Sequence, residues 1–269
     1  MMVAVRQRLH ARSVTMLHSI EHRLPRIMSW WLGLALAACA LRVVTSPLGG
    51  RAPDLAMVLP YLLLTIAPLL SMGLALRWFA NGDRLPQPVT RLARIGRWRS
   101  VDLAEARTSP LYGTSGLMVS LLLGMLINVP VRAAEYLAAM PALLGPVPHW
   151  LSVLHLMLTL DVVLLSSLYV IAFVAALRRV PLFPRLLATI WLIDLAMQLG
   201  IAQAVTAAGD LPRDVAGVLN TLLDGNVKKV LISVALWTPY LLLSQRVNIT
   251  FRRRLPACPR TSPRLGPHP

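Results

Sequence analysis

The chain has 269 residues, 56% of them hydrophobic and only 14% charged, with a formal net charge of +16 and a mean hydropathy of +0.63. Soluble domains carry about 25% charged residues, so too few charges are present here to coat a soluble core of such apolar content. A wholly soluble enzyme, a nucleic-acid-binding domain and a disordered chain are excluded, and the long uncharged runs predict an all-α polytopic membrane protein.

A helix crossing a hydrocarbon core of about 30 Å needs roughly 20 mainly apolar residues. A basic N-terminal segment, 1–26, comes first and contains His18-Ser19-Ile20-Glu21-His22. This has the inverted zincin form H-x-x-E-H, whose i,i+4 spacing puts both imidazoles on one helical face. Zinc also needs a third ligand and a pocket, and nothing downstream supplies them, so a solvated helix beside the membrane is the preferred reading.

Ile27 to Val44 is the first span. Within it, Leu36-Ala37-Ala38-Cys39 has the form of a bacterial lipobox, and cleavage there would leave a lipidated Cys39 and five spans. The uncleaved span is preferred, because the preceding segment is long and rich in His as well as Arg. Cys258 is the second of the two cysteines and lies in the tail, so no disulfide framework can be built.

Leu55 to Leu76 is the second span, without a charge and with kinks expected at Pro60 and Pro68. The connection 77–110 follows. Its stretch Val89 to Leu103 mixes Leu92, Ile95 and Trp98 with Arg91, Arg94, Arg97 and Arg99, which suits either an interfacial helix on anionic lipid or a solvated basic loop. Leu111 to Met140 holds the third span, Trp150 to Leu177 the fourth and Leu186 to Ala208 the fifth. A short outer helix, Asp214 to Leu223, is expected before the sixth and shortest span, Val230 to Ser244, which can borrow length from the Asn226 side. The residues thus divide into the basic segment 1–26, a six-helix membrane domain 27–244 and a basic, Pro-rich tail 245–269 that is expected to be disordered after Phe251.

Arginine and lysine fall unevenly on the two sides. The N-terminal segment, the second-to-third and fourth-to-fifth connections and the tail hold 21, against six in the remaining positions. The positive-inside rule therefore places both termini in the cytoplasm, with anionic lipid headgroups as the partner for the arginines and no nucleic acid.

Ionisable groups inside spans are costly and each needs a reason. Arg132 and Glu135 share a helical face at i,i+3, and mutual neutralisation near the outer interface is the preferred account. An Arg132–Asp161 pair between adjacent antiparallel helices is also possible, Arg132 lying ~12 Å and Asp161 ~16 Å from the outer ends of their spans at 1.5 Å per residue. Asp194 lies ~12 Å and Tyr169 ~13 Å from the inner face by the same rise, so Tyr169 can donate to Asp194, with Gln198 supporting it from the next turn. His155 is six residues from Asp161 and off its face, so a His–Asp relay along the fourth span is not expected. The set Arg132, Glu135, Asp161, Tyr169, Asp194 and Gln198 reads as interhelical glue, each contact worth about 1 kcal/mol. The alternative is a path for a proton or cation through Asp161 and Asp194, as in a permease of small solutes or ions. No catalytic, cofactor or metal motif is recognisable, so no enzyme activity and no cofactor are expected, and the preferred function is an accessory or scaffold role in the bilayer.

The sixth span ends in Trp237-Thr238-Pro239-Tyr240-Leu241-Leu242-Leu243-Ser244-Gln245-Arg246-Val247-Asn248-Ile249-Thr250-Phe251. A W-x-P-Y run followed by S-x-R-V and T-F resembles the C-terminal signature of bacterial domain-of-unknown-function family 2569. The resemblance implies a small polytopic inner-membrane protein and assigns no activity.

Overall fold

A computed structural model describes residues 2–46, 54–90, 97–143, 145–209 and 211–257, with the side chains of 2–12 and 56 outside that description. The chain is mostly helical. Its elements in order are α1 (Met2–Thr45), α2 (Leu55–Trp78), a 3-10 turn (Gly82–Arg84), β1 (Trp98–Ser100), α3 (Leu103–Thr108), α4 (Leu117–Ala139), α5 (His149–Leu177), α6 (Phe183–Ala207), α7 (Arg213–Leu243), α8 (Gln245–Arg252) and β2 (Arg254–Pro256). Among the described residues, five helices (α1 over Ser13–Thr45, α2 over Met57–Trp78, α4, α5 and α6) are long and apolar enough to cross a membrane. The pair α7 and α8, bent by 73° at Ser244, makes a sixth if it counts as one span.

Local chemistry explains the boundaries. Asp54 caps α2 by accepting from the Met57 amide at 2.8 Å, and Asp102 caps α3 by accepting from Glu105 at 2.7 Å, each satisfying an amide that the first turn leaves without a carbonyl. Pro184 sits in the first turn of α6, where a missing N–H costs nothing. The end of α5 is closed by a paired turn in which the Val180 amide donates to the Ala175 carbonyl at 2.8 Å and the Arg179 amide to the Ala176 carbonyl at 3.0 Å. That turn holds Arg179 at φ 57, a left-handed conformation usually given to glycine.

The core is organised around α5, which packs on α2, α4 and α6. Its run Ala172, Phe173, Val174, Ala175 and Ala176 is wholly buried, as expected for a helix apolar on every side. By contrast, only 11% of the apolar window of α1 is buried within the chain, so most of that helix presents its side chains outward.

Four differences from the sequence reading have simple causes. The segment 1–26 is not a separate unit, because α1 runs unbroken through Pro25. The expected short helix Asp214 to Leu223 and the sixth span are one 31-residue helix, α7, since no proline lies between them and Gly225 weakens a helix without ending it. The stretch Val89 to Leu103 is not one helix: residues 91–96 lie outside the described residues, and Trp98–Ser100 forms β1. The tail is ordered as far as β2, whose Arg254 pairs antiparallel with Ser100 and whose Pro256 pairs with Trp98; residues 258–269 of the expected disordered tail lie outside the description.

The arginine-rich segments meet at one end of the bundle. The Gly116 amide donates to Ser13 Oγ at 2.9 Å, Arg185 donates to Thr90 at 2.6 Å, and Arg253 Nη2 donates to the carbonyls of Asp83 at 2.6 Å and Leu85 at 2.9 Å. At the opposite end Arg42 Nε donates to the Met140 carbonyl at 2.9 Å, where a cation suits the negative end of α4.

Gly82 makes a close approach at this end. A Cβ there would lie 2.7 Å from the Arg178 carbonyl oxygen and 2.7 Å from Val180 Cγ2, so the 3-10 turn can dock on the α5–α6 turn only without a side chain. Gly82→Ala is expected to destabilise the docked end by about 1–3 kcal/mol, as overpacking does, read as a lower thermal midpoint in detergent and faster proteolysis in 79–112. An unchanged midpoint and cleavage rate would show that the turn is not clamped.

Asp83, next in the chain, accepts from Arg107 and, at 3.4 Å, from Tyr112, whose ring lies under Arg179 at 5.4 Å. Burial pushes this carboxyl up, but Arg107, Arg179 and Tyr112 together outweigh burial and hold it below its ordinary value of 3.8. A depressed carboxylate contributes stability above its unfolded value and loses it as pH falls through the folded one. Exchange of the amides of 82–85 is therefore expected to accelerate on acidification below that range, and Asp83→Asn to show the fast rate already at neutral pH.

Candidate functional site: a buried charge cluster

Arg132 projects from α4 between α5 and α6. Its Nη1 donates to Asp161 Oδ2 of α5 at 2.9 Å and its Nη2 to Asp194 Oδ2 of α6 at 2.5 Å. The Asp194 side chain is wholly buried and the other two are at most 9% exposed. Tyr169 donates to the same Asp194 oxygen at 3.0 Å, and its ring lies 5.9 Å from the guanidinium. Gln198 donates to Asp161 Oδ1 at 3.0 Å, and its own carbonyl accepts from Asn226 of α7 at 3.3 Å. Four helices thus share one chain of hydrogen bonds.

Of the six residues singled out from sequence, five meet here. Glu135 does not join them, and the expected neutralisation of Arg132 by Glu135 is replaced by two other pairings. Arg132 turns inward to the two aspartates, while Glu135 turns along the α4 surface to Lys229 of α7, an exposed pair. Two buried carboxylates without a cation would cost more than a half-exposed one, which decides which partner takes the guanidinium. Gln198 also differs from expectation: it supports Asp161 rather than Asp194.

Asn226 and Lys229 were not foreseen as members, because the segment before Val230 reads as an outer connection. Their i,i+3 spacing, with Lys229 donating to the Asn226 carbonyl at 3.3 Å, is the signal in the sequence that α7 continues inward with a polar stripe. Asn128, one turn before Arg132, also lines the site.

A small cavity of about 40 Å³ lies against the cluster, bounded by Asn128, Arg132, Tyr169, Asp194, Asn226 and Ser233 among others, with Glu135 and Lys229 on its rim. Outward of that rim a shallower groove of about 560 Å³ follows the Gly217, Thr221 and Gly225 face of α7. Asp194 Oδ1 and Arg132 Nε are buried without a hydrogen-bond partner.

A second polar chain lies toward the opposite end of α5. Thr159 donates to the His155 carbonyl at 2.7 Å, so it accepts from Tyr136 at 2.8 Å, and His155 Nε2 lies 3.3 Å from the Tyr136 oxygen. His155 is thus engaged with Tyr136, in keeping with its separation from the Asp161 face.

The remaining sequence candidates are placed as follows. His18 and His22 are exposed on α1 with ring centroids 3.9 Å apart, and among the described residues no group of three or more His, Cys, Asp or Glu side chains could hold a metal. Cys39 is buried inside α1, its thiol 3.8 Å from the Tyr61 carbonyl and 3.7 Å from Thr65 Oγ1 on α2. The exit run at the end of α7 packs Trp237 edge-on to Tyr240 at 5.9 Å and then turns at Ser244. Beyond the turn Arg246 donates to Ser115 at 2.6 Å, and Thr250 accepts from the Gly113 amide at 3.0 Å. These contacts fix α8 on the loop that leads into α4.

No family model, curated protein or solved structure matches this chain.

Removing one member of a buried ion cluster leaves the others uncompensated and costs about 3–5 kcal/mol, whereas a single interhelical hydrogen bond is worth about 0.6–2 kcal/mol. Arg132→Met is expected to lose several times more stability than Gln198→Ala, measured by unfolding of the purified protein in detergent. Equal losses would mean that the charges are not the dominant tie.

Proposed function

We propose that the chain is a multi-pass protein of the bacterial inner membrane, with six crossings and both termini in the cytoplasm, acting as an accessory or scaffold in the bilayer. The observation that carries this reading is the Arg132–Asp161–Asp194 cluster, whose ion pairs and hydrogen bonds join α4, α5, α6 and, through Gln198 and Asn226, α7. The gathering of the arginine-rich segments at one end supports the orientation, because that end then faces anionic headgroups on the cytoplasmic side. The contacts of Arg246 with Ser115 and of Thr250 with Gly113 give the run that resembles family 2569 a physical purpose, holding α8 on the loop into α4.

A second reading rests on a specific observation as well. The cavity beside Asp194, with Glu135 and Lys229 at its rim, suits a permease of small solutes or ions that uses Asp161 and Asp194. Flux in proteoliposomes separates the two. On the scaffold reading, Asp161→Asn and Asp194→Asn lower stability or assembly and no pH-dependent flux exists to be lost; a flux abolished by either change would replace it with the permease. Orientation is tested by reporter fusions, which are expected to place 79–110 and the C-terminus in the cytoplasm; a periplasmic signal at either site would reverse the assignment.

A further inference from the structure

The charges of the buried cluster do not balance. Arg132 supplies one positive charge and Asp161 and Asp194 two negative ones, leaving an excess of one negative charge where every side chain is at most 9% exposed. A buried unpaired charge is strongly disfavoured, so the remaining unit calls for a counter-charge. Among the described residues, the neighbours do not provide it. From α4, Asn128 is neutral, its buried Nδ2 without a hydrogen-bond partner; from α5, Tyr169 donates its proton as a neutral hydroxyl; from α6, Gln198 is neutral; from α7, Asn226 and Ser233 are neutral; and Lys229 is paired with Glu135 of α4.

The free valences identify the place. Both Asp161 oxygens are occupied, Oδ2 by Arg132 and Oδ1 by Gln198. Asp194 Oδ2 takes Arg132 and Tyr169 together, whereas its Oδ1 is buried with no partner. Asp194 also lines the cavity of about 40 Å³, enough for a water-sized guest, since roughly 10–15 Å³ on this measure holds one water.

We propose that Asp194, at its free oxygen in the cavity between α4 and α7, binds one exchangeable monovalent cation, a proton or an alkali ion, which completes the charge of the Arg132–Asp161–Asp194 cluster. The proposal rests on the chain being membrane-embedded as read above, and it is independent of whether the guest is ever transported. Glu135, Asn226 and Lys229 line both this cavity and the open groove along α7, so the exposed Glu135–Lys229 pair stands between the site and the groove. Only charge balance and one small guest are required; no bond other than an O–H is made or broken.

Purified protein in detergent supplies the test. In the proton arm, infrared spectra in sodium-free choline buffer are expected to show the carbonyl stretch of a protonated buried carboxyl, absent from Asp194→Asn. In the alkali arm, the thermal midpoint at fixed pH and ionic strength is expected to rise as sodium replaces choline, again with the response lost in Asp194→Asn. A positive result in either arm names the ion. Should Asp194→Asn fail to fold, Asp161→Asn serves as the second variant, because it also leaves Arg132 with a single carboxylate and is expected to lose the same response. A wild-type protein with neither the carboxyl band nor a sodium-dependent midpoint would overturn the proposal. The scaffold reading fails by a different outcome, namely unaltered stability of both variants.

Discussion

One guanidinium placed between two carboxylates from different helices governs the interior of this protein. In lipid the hydrophobic effect does not drive helices together, and packing and interhelical polar contacts have to serve instead. Arg132 reaches Asp161 and Asp194 at once, so α4, α5 and α6 cannot rotate or slide independently without exposing a charge to the hydrocarbon. Gln198 and Asn226 extend that constraint to α7. Steric fit fills the rest: Ala172, Ala175 and Ala176 on α5 are wholly buried and let neighbouring backbones approach closely.

The basic end is a second, more polar structure built on the first. Arg179 and Arg253 both hold left-handed conformations, and both use their side chains on the same loop, Arg179 over Tyr112 and Arg253 on the carbonyls of Asp83 and Leu85. The backbone strain at these arginines is offset by contacts that glycine could not make. The β1–β2 pair then joins the 79–112 connection to the segment after α8, so that connection and the far end of the described chain are tied at one end of the bundle.

Much of this was legible in the residues because a bilayer admits few solutions. Apolar run lengths located α2, α5 and α6 to within three residues, and the end of α4 though its start lies six residues later than expected, since a spanning helix must satisfy its backbone internally. Depth arithmetic along antiparallel spans was enough to bring Arg132 to the level of Asp161 and Tyr169 to Asp194. It did not assign Arg132 against Glu135, because i,i+3 spacing says that two side chains are neighbours and not which of them faces inward. The polar stripe of Asn226 and Lys229 was hidden by the charges around it: Asp224, Lys228 and Lys229 read as an aqueous connection, while α7 passes through them unbroken. The short β1–β2 pair carries no alternation long enough to be read, and its partners stand more than 150 residues apart, as the pairing of Ser100 with Arg254 shows.

The sparse burial of α1 has an evolutionary corollary. The helix touches the bundle through a few side chains, among them Trp31, which donates to the Thr65 carbonyl at 3.1 Å, and Cys39 against α2. Elsewhere its large residues, Trp30, Leu34, Leu41 and Val44, face away from the protein. Selection on those outward positions has only greasiness to act on. Across related chains they should drift freely among aliphatic and aromatic letters, while the handful of inward ones stay put.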